Sequence, residues 1–278
     1  MKNAALAAAA TGLSPLLRAA RRAPLPVALQ LYSVRGDCAK DFDGTLEWAA
    51  RQGFDGVEFA GYYQYADNPK GLRRRLDDLG LRGIGAHLGT DRLRGDALKR
   101  TIEFHRILGC HFLIVPGDHS YTDPEGNIRL AEFFNLTAEL LRPYGMLCGY
   151  HNHTKEFTKV GDTTYFDLFA QRTSQAVVLQ QDCGWTAAAG YDPAEMMRRY
   201  PGRMKSTHYK PTVVGHEPGK KAILGQDSVD WAEVLEVSRT IGGTEWITLE
   251  QERYPDGKSP KQCTAESFAA LKKLQGRS

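Results

Sequence analysis

The run Met146-Leu147-Cys148-Gly149-Tyr150-His151 is an apolar segment of strand length that ends on an imidazole. Three later runs repeat the form: residues 176–182 end on Asp182, 204–208 on His208 and 246–250 on Glu250. Short apolar runs of this kind are consistent with strands buried on both faces. As consecutive strands of a closed parallel barrel, they project His151, Asp182, His208 and Glu250 from its C-terminal rim, where barrel enzymes keep their chemistry. Two imidazoles and two carboxylates at that rim form a mixed nitrogen and oxygen shell suited to one divalent metal ion.

Upstream, strand-like runs at 27–31, 56–59, 81–86 and 112–115 bring the expected number of strands to eight. Helix-spaced stretches lie at 42–51, 68–79, 97–108, 128–144, 165–172, 192–199, 231–241 and 265–274. In the 128–144 stretch, Leu130, Phe133, Phe134, Leu140 and Leu141 are expected on one side. Gly53, Gly80, Gly109, Gly145, Gly202 and Gly243 each follow a helical stretch and precede a strand, where a left-handed residue closes the helix. Strand and helix thus alternate as βα units of roughly thirty residues. Eight strands, with no GxGxxG after the first, predict an α/β chain folded as a (β/α)8 TIM barrel in place of an open doubly wound sheet. The 278 residues are close to the ~250 that such a barrel needs. Residues 26–278 are therefore expected to form a single catalytic domain.

Residues 1–25 read differently. Lys2, an Ala-rich run and Leu13, Leu16 and Leu17 resemble an export signal, with a disordered leader as the alternative. The segment is too short and broken for a stable membrane span, and no twin-arginine pair precedes it. A periplasmic or secreted protein is expected, or a cytoplasmic one if the segment is no signal. Lys2, Arg18, Arg21 and Arg22 also account for the net charge of +3; without them the remainder stands at −1. A near-neutral body lacks the basic stripe of a nucleic-acid surface, so the expected partner is a small molecule. The five cysteines have no CxxC spacing and suit buried structural positions. Nothing in the chain specifies the oligomeric state.

Other residues could join the rim site. Strand alternation sends His151 and His153 to one side and Asn152 away. Asp182 could alternatively cap a following helix. Lys210 could carry positive charge toward a substrate oxygen. Glu58 and His87 hold equivalent strand-end positions and, with Gln30 and Tyr32, are expected to contact substrate. Trp185 and the run Tyr62-Tyr63-Gln64-Tyr65 suit stacking on a sugar face. Asn152 and Glu156 complete the expected substrate-binding set, Glu156 as a further acid or base.

These residues resemble the xylose isomerase-like TIM barrel superfamily, the sugar phosphate isomerase/epimerase group. The resemblance spans residues 27–274. It rests on Leu29-Gln30-Leu31-Tyr32-Ser33, Gly56-Val57-Glu58, Tyr150-His151-Asn152-His153 with Glu156-Phe157, Asp182, His208-Tyr209-Lys210, Leu224-Gly225 with Val229-Asp230-Trp231, and Glu250. It implies a divalent-metal-dependent carbohydrate enzyme that abstracts a proton next to a sugar carbonyl, with His151, Asp182, His208 and Glu250 as ligands. Manganese is the foremost metal; zinc, iron, cobalt and magnesium are alternatives. The group's epimerases have Glu at the position of His151, so the pair of carboxylate bases is lost here, and the His-Asn-His form resembles members proposed to cleave 3-keto-glycosides. A keto-sugar lyase is the leading expectation and a sugar isomerase/epimerase the alternative. A DNA-repair endonuclease and a non-catalytic sugar-binding barrel are more remote. His153 or Glu250 is the expected base, and Lys210 the stabiliser of oxyanion charge.

Overall fold

Most strand runs are apolar on both faces because the two faces meet two different cores. A computed structural model describes residues 23–277. The strands are β1 (Val27–Gln30), β2 (Gly56–Phe59), β3 (Arg82–His87), β4 (Phe112–Val115), β5 (Leu147–His151), β6 (Val178–Gln180), β7 (Ser206–Tyr209) and β8 (Trp246–Leu249). All are parallel, in the order β6-β5-β4-β3-β2-β1-β8-β7. The ring closes between β7 and β6 through a parallel bridge between Asp182 and His208. The predicted TIM barrel is therefore the observed fold.

Alternation divides the residues. Ala28, Ile84, Phe112, Ile114, Val178 and Trp246 point inward and form an apolar floor inside the barrel. Val27, Leu29, Val57, Leu113, Ile247 and Leu249 belong instead to the larger core shared with the surrounding helices. Those helices are α1 (Phe42–Gln52), α2 (Pro69–Leu79), α3 (Gly95–Leu108), α4 (Pro124–Leu141), α5 (Tyr165–Arg172), α6 (Pro193–Arg199), α7 (Trp231–Val237) and α8 (Pro260–Gln275). Side chains of Asp41, Asn68, Asp123, Thr164, Asp192, Asp230 and Ser259 cap their N-termini. The six punctuating glycines all take positive φ, from 65° to 91°.

Several boundaries differ from expectation. β6 is three residues long; just before it the Arg203 guanidinium donates to the carbonyls of Ala170, Thr173 and Val177. Leu140 does not join the buried side of α4; it lies with Leu136 on the outer face, 49% and 63% exposed, while Leu130, Phe134 and Leu141 face the barrel. The last helical turn expected through 241 winds into a π-turn at Ser238–Gly242. Among the described residues no helix is long and apolar enough to cross a membrane. Of the leader expected over residues 1–25, residues 1–22 lie outside the described residues, and Leu25 is tied to the Gln275 side chain at 2.9 Å.

Gly149 sets the β5–β6 spacing, since a Cβ there would lie 2.2 Å from the Val178 carbonyl oxygen. Gly149→Ala is expected to cost roughly 1–3 kcal/mol through forced separation of the strands, read as a lower denaturant midpoint in equilibrium unfolding.

Candidate metal centre at the barrel mouth

The closing seam of the barrel is also where the rim residues meet. The bridge that joins β6 to β7 pairs Asp182 with His208, and the His208 amide donates to the Gln181 carbonyl at 2.8 Å. β8 aligns Thr248 with His208, so Glu250 arrives beside it, and β5 aligns His151 with Gln180, two residues before Asp182. One candidate ligand atom from each of His151, Asp182, His208 and Glu250 lies within 4.8 Å of every other. All four residues are buried. His151 Nε2 stands 3.8 Å from Asp182 Oδ2, and His208 Nδ1 stands 2.7 Å from Glu250 Oε2.

Beneath this rim lies a polar layer. Glu58, fully buried, takes hydrogen bonds from Gln30 Nε2, Gln180 Nε2 and His208 Nε2, each at 2.7 Å. Burial opposes its charge, but His87 and His208 hold its carboxyl below the usual range. Strand pairing sets Glu58 and Gln30 opposite one another, and their buried side chains satisfy each other. Glu58 accepts from His208 Nε2, which leaves Nδ1 toward Glu250, the arrangement by which a carboxylate would orient a candidate ligand imidazole. Burial works against a charged His208, yet the Glu58 and Glu250 carboxylates outweigh it and push its pKa up to about 10. His151, by contrast, is held neutral by burial and by the neighbouring His208 and His87.

Lys210 completes the rim. Its Nζ lies 3.0 Å from Asp182 Oδ2, 3.3 Å from Glu250 Oε2, 3.0 Å from Glu252 Oε2 and 4.7 Å from the centre of the Trp185 ring. Burial opposes its charge, but Asp182, Glu250 and Glu252 keep it firmly protonated. Gly184 permits this contact, because a Cβ there would sit 2.3 Å from the Lys210 carbonyl oxygen. His153 reaches the mouth, its ring 5.1 Å from His151 and 5.6 Å from Trp185. Burial lowers its pKa to about 4. His87 packs over both ligand imidazoles, with ring centres 4.9 Å from His151 and 5.3 Å from His208.

Other expected contacts fall outside this cluster. Asn152 is buried and braces the seam, accepting from the Asp182 amide at 3.0 Å. Glu156 is buried behind the loop, where it accepts from the His153 amide at 2.8 Å and the Tyr150 hydroxyl at 3.2 Å. Both side chains are engaged in the supports of the loop. Tyr32 is at the outer edge, 42% exposed, with the Arg35 guanidinium 4.3 Å from its ring centre. In the aromatic run, Tyr62 bonds to His105 at 2.5 Å and Tyr65 to Asp43 at 2.9 Å, so both serve packing between helices. The residues missed by sequence reasoning are Gln180, Ser206, Thr248 and Glu252. The first three each stand two positions before a rim residue, and the period of two could have found them.

The donor set fits a divalent cation. Asp182 does cap the short helix Cys183–Ala188, but only through Oδ1, which accepts from the Trp185 amide at 2.8 Å. Its Oδ2 is buried and faces the rim; among the described residues it accepts no well-aligned hydrogen bond, the Lys210 Nζ standing 3.0 Å away as an ion-pair partner. Burial raises the Asp182 pKa to about 6, against the pull of Lys210, as expected of a carboxylate short of positive charge. Glu58, Asp182 and Glu250 bring three buried negative charges against Lys210 and the His208 imidazolium; a divalent ion that displaced the His208 proton would neutralise the set.

Fold and rim together define a (β/α)8 barrel with a candidate metal centre at its mouth. Residues 46–274 match the model of the xylose isomerase-like TIM barrel family, and the chain belongs to that family. It is 26% identical over 175 residues to an inosose dehydratase of Clostridium botulinum (strain Alaska E43 / Type E3), a match over 57% of this chain and 58% of that protein. Its fold is shared by a sugar phosphate isomerase/epimerase from Parabacteroides distasonis ATCC 8503, with TM-score 0.74, 22% identity and coverage of 89% and 93% of the two chains. It is shared also by the IOLI protein with a zinc atom, with TM-score 0.68, 11% identity and coverage of 91% and 98%.

Because His208 must lose its proton to ligate, metal uptake at pH 8 is expected to release about one proton per ion. Affinity should rise about tenfold per pH unit between pH 7 and 9, below the His208 pKa of about 10. Calorimetric titration in buffers of different ionisation enthalpy measures both.

Proposed function

We propose that this chain is a divalent-metal-dependent carbohydrate enzyme that removes a proton next to a sugar carbonyl, and that its reaction is elimination from a keto-sugar such as a 3-keto-glycoside. The observation that carries this reading is His151. It supplies a neutral imidazole at the rim where the group's epimerases, which the chain resembles, carry a carboxylate base. With one of two symmetric bases gone, removal of a proton is retained and its return to the opposite face is not. The relative named inosose dehydratase is consistent with an elimination.

His151, Asp182, His208 and Glu250 would hold the ion, which when bound polarises the substrate carbonyl. Manganese is the proposed metal, with zinc, iron, cobalt and magnesium as alternatives. His153 is the proposed base: its imidazole is neutral at pH 7 and its ring makes no hydrogen bond among the described residues. It takes the proton from the carbon beside the carbonyl; the released electron pair forms a double bond as the leaving-group oxygen departs from the next carbon. The resulting imidazolium can then protonate that oxygen. Lys210, held by three carboxylates, places positive charge against the developing oxyanion. Trp185 supplies an apolar wall for a sugar face, and its buried indole N–H, which has no hydrogen-bond partner among the described residues, is free to donate to a substrate oxygen. An exported location, in reach of extracellular glycosides, accords with the basic, Ala-rich start of the chain.

The test is turnover of a 3-keto-glucoside and of a free ketose with added manganese and after chelation. Metal-dependent release of the aglycone is expected; epimerised ketose without cleavage would favour the two-base alternative, with Glu250 as the second base. His153→Ala should lower turnover roughly 100- to 10,000-fold with metal content unchanged, while Asp182→Asn should lose metal and turnover together.

A further inference from the structure

We propose that Gln180 is the positioning residue of the metal centre, whose single amide fixes the proton position of the His151 imidazole and ties it to Glu58, the carboxylate that orients His208. The inference rests on the metal reading above and names a residue outside the ligand set. Gln180 is fully buried at the end of β6, and all four of its hydrogen-bonding positions are taken. Its Nε2 donates to Glu58 Oε1 at 2.7 Å and to Ser206 Oγ at 3.0 Å. Its Oε1 lies 2.8 Å from His87 Nε2 and 3.1 Å from His151 Nδ1.

The orientation of that amide follows from chemistry. An ionised carboxylate can only accept, so the face of Gln180 toward Glu58 must be its NH2 group. The carbonyl oxygen then faces the two imidazoles, and each must donate from the nitrogen that meets it. His151 is thereby held as the Nδ1–H tautomer, with the lone pair of Nε2 turned toward Asp182 Oδ2, 3.8 Å away. Glu58 sets the other ligating imidazole directly, by accepting from His208 Nε2. One amide therefore couples His151 to the same carboxylate that orients His208. A hydrophobic side chain at 180 would free His151 to adopt the opposite tautomer and would leave Glu58 short of a donor.

The experiment compares full-length wild type, Gln180→Met and Gln180→Glu. Manganese affinity is read from the electron paramagnetic resonance of free Mn2+, imidazole tautomers from 15N NMR of the metal-free proteins, and folding from thermal unfolding. Wild type is expected to show His151 protonated at Nδ1. Gln180→Met should show mixed tautomers and affinity weaker by roughly 10- to 100-fold. Gln180→Glu keeps an acceptor for His151, so it should retain the Nδ1–H signature and recover part of the lost affinity. A folded Gln180→Met with wild-type tautomer and wild-type affinity overturns this proposal and leaves the metal reading intact. Wild type that binds no manganese, and no other divalent ion, at the rim overturns both. Should Gln180→Met fail to fold, loss of the Nδ1–H signature in Gln180→Glu overturns the proposal by itself.

Discussion

A carboxylate that can accept hydrogen bonds but never donate them is buried beneath the barrel mouth, and the site is built upward from it. Leaving such a charge bare would cost on the order of several kcal/mol. Glu58 avoids that cost with donors from Gln30, Gln180 and His208, three residues brought from three other strands. Its demand for donors orients the Gln180 amide and the His208 ring, and through Gln180 it reaches His151. The protonation pattern of the rim is thus dictated from below, before any ligand enters.

Barrel closure and site assembly are one event. β6 and β7 meet through the bridge between Asp182 and His208, so the contact that completes the sheet also juxtaposes two of the four candidate ligands. Asp182 divides its carboxylate between the tasks: Oδ1 caps the helix behind it and Oδ2 is turned into the mouth. Lys210 and the His208 proton hold the remaining negative charge together. This makes the centre stable enough to preform and leaves it one positive charge short, the condition under which a divalent ion is favoured.

The repeat of strand and helix was readable because most strands carry apolar residues on both faces and most helices end near a glycine that takes positive φ, the helix Tyr165–Arg172, which ends at Thr173, being an exception. The rim was readable because His151, Asp182, His208 and Glu250 end their apolar runs, and burial of such groups demands a counter-charge. The hydrogen bonds of Glu58 were not readable: it too is near the end of a short strand, but its partners Gln30, Gln180 and His208 come from three other strands, and the β2–β3 register shifts between Val57 and Glu58. Asn152 and Glu156 depend on how the loop after β5 folds back, and the role of Gln180 needs four partners from distant parts of the chain. Neither is encoded in local spacing.

The most direct measurement is an anomalous difference map from crystals grown with manganese chloride. One peak within bonding distance of His151, Asp182, His208 and Glu250, with Glu58 and Gln180 outside that distance, is the predicted result. A map with no peak at the rim, or with the ion held elsewhere while Lys210 alone neutralises Asp182, would contradict it.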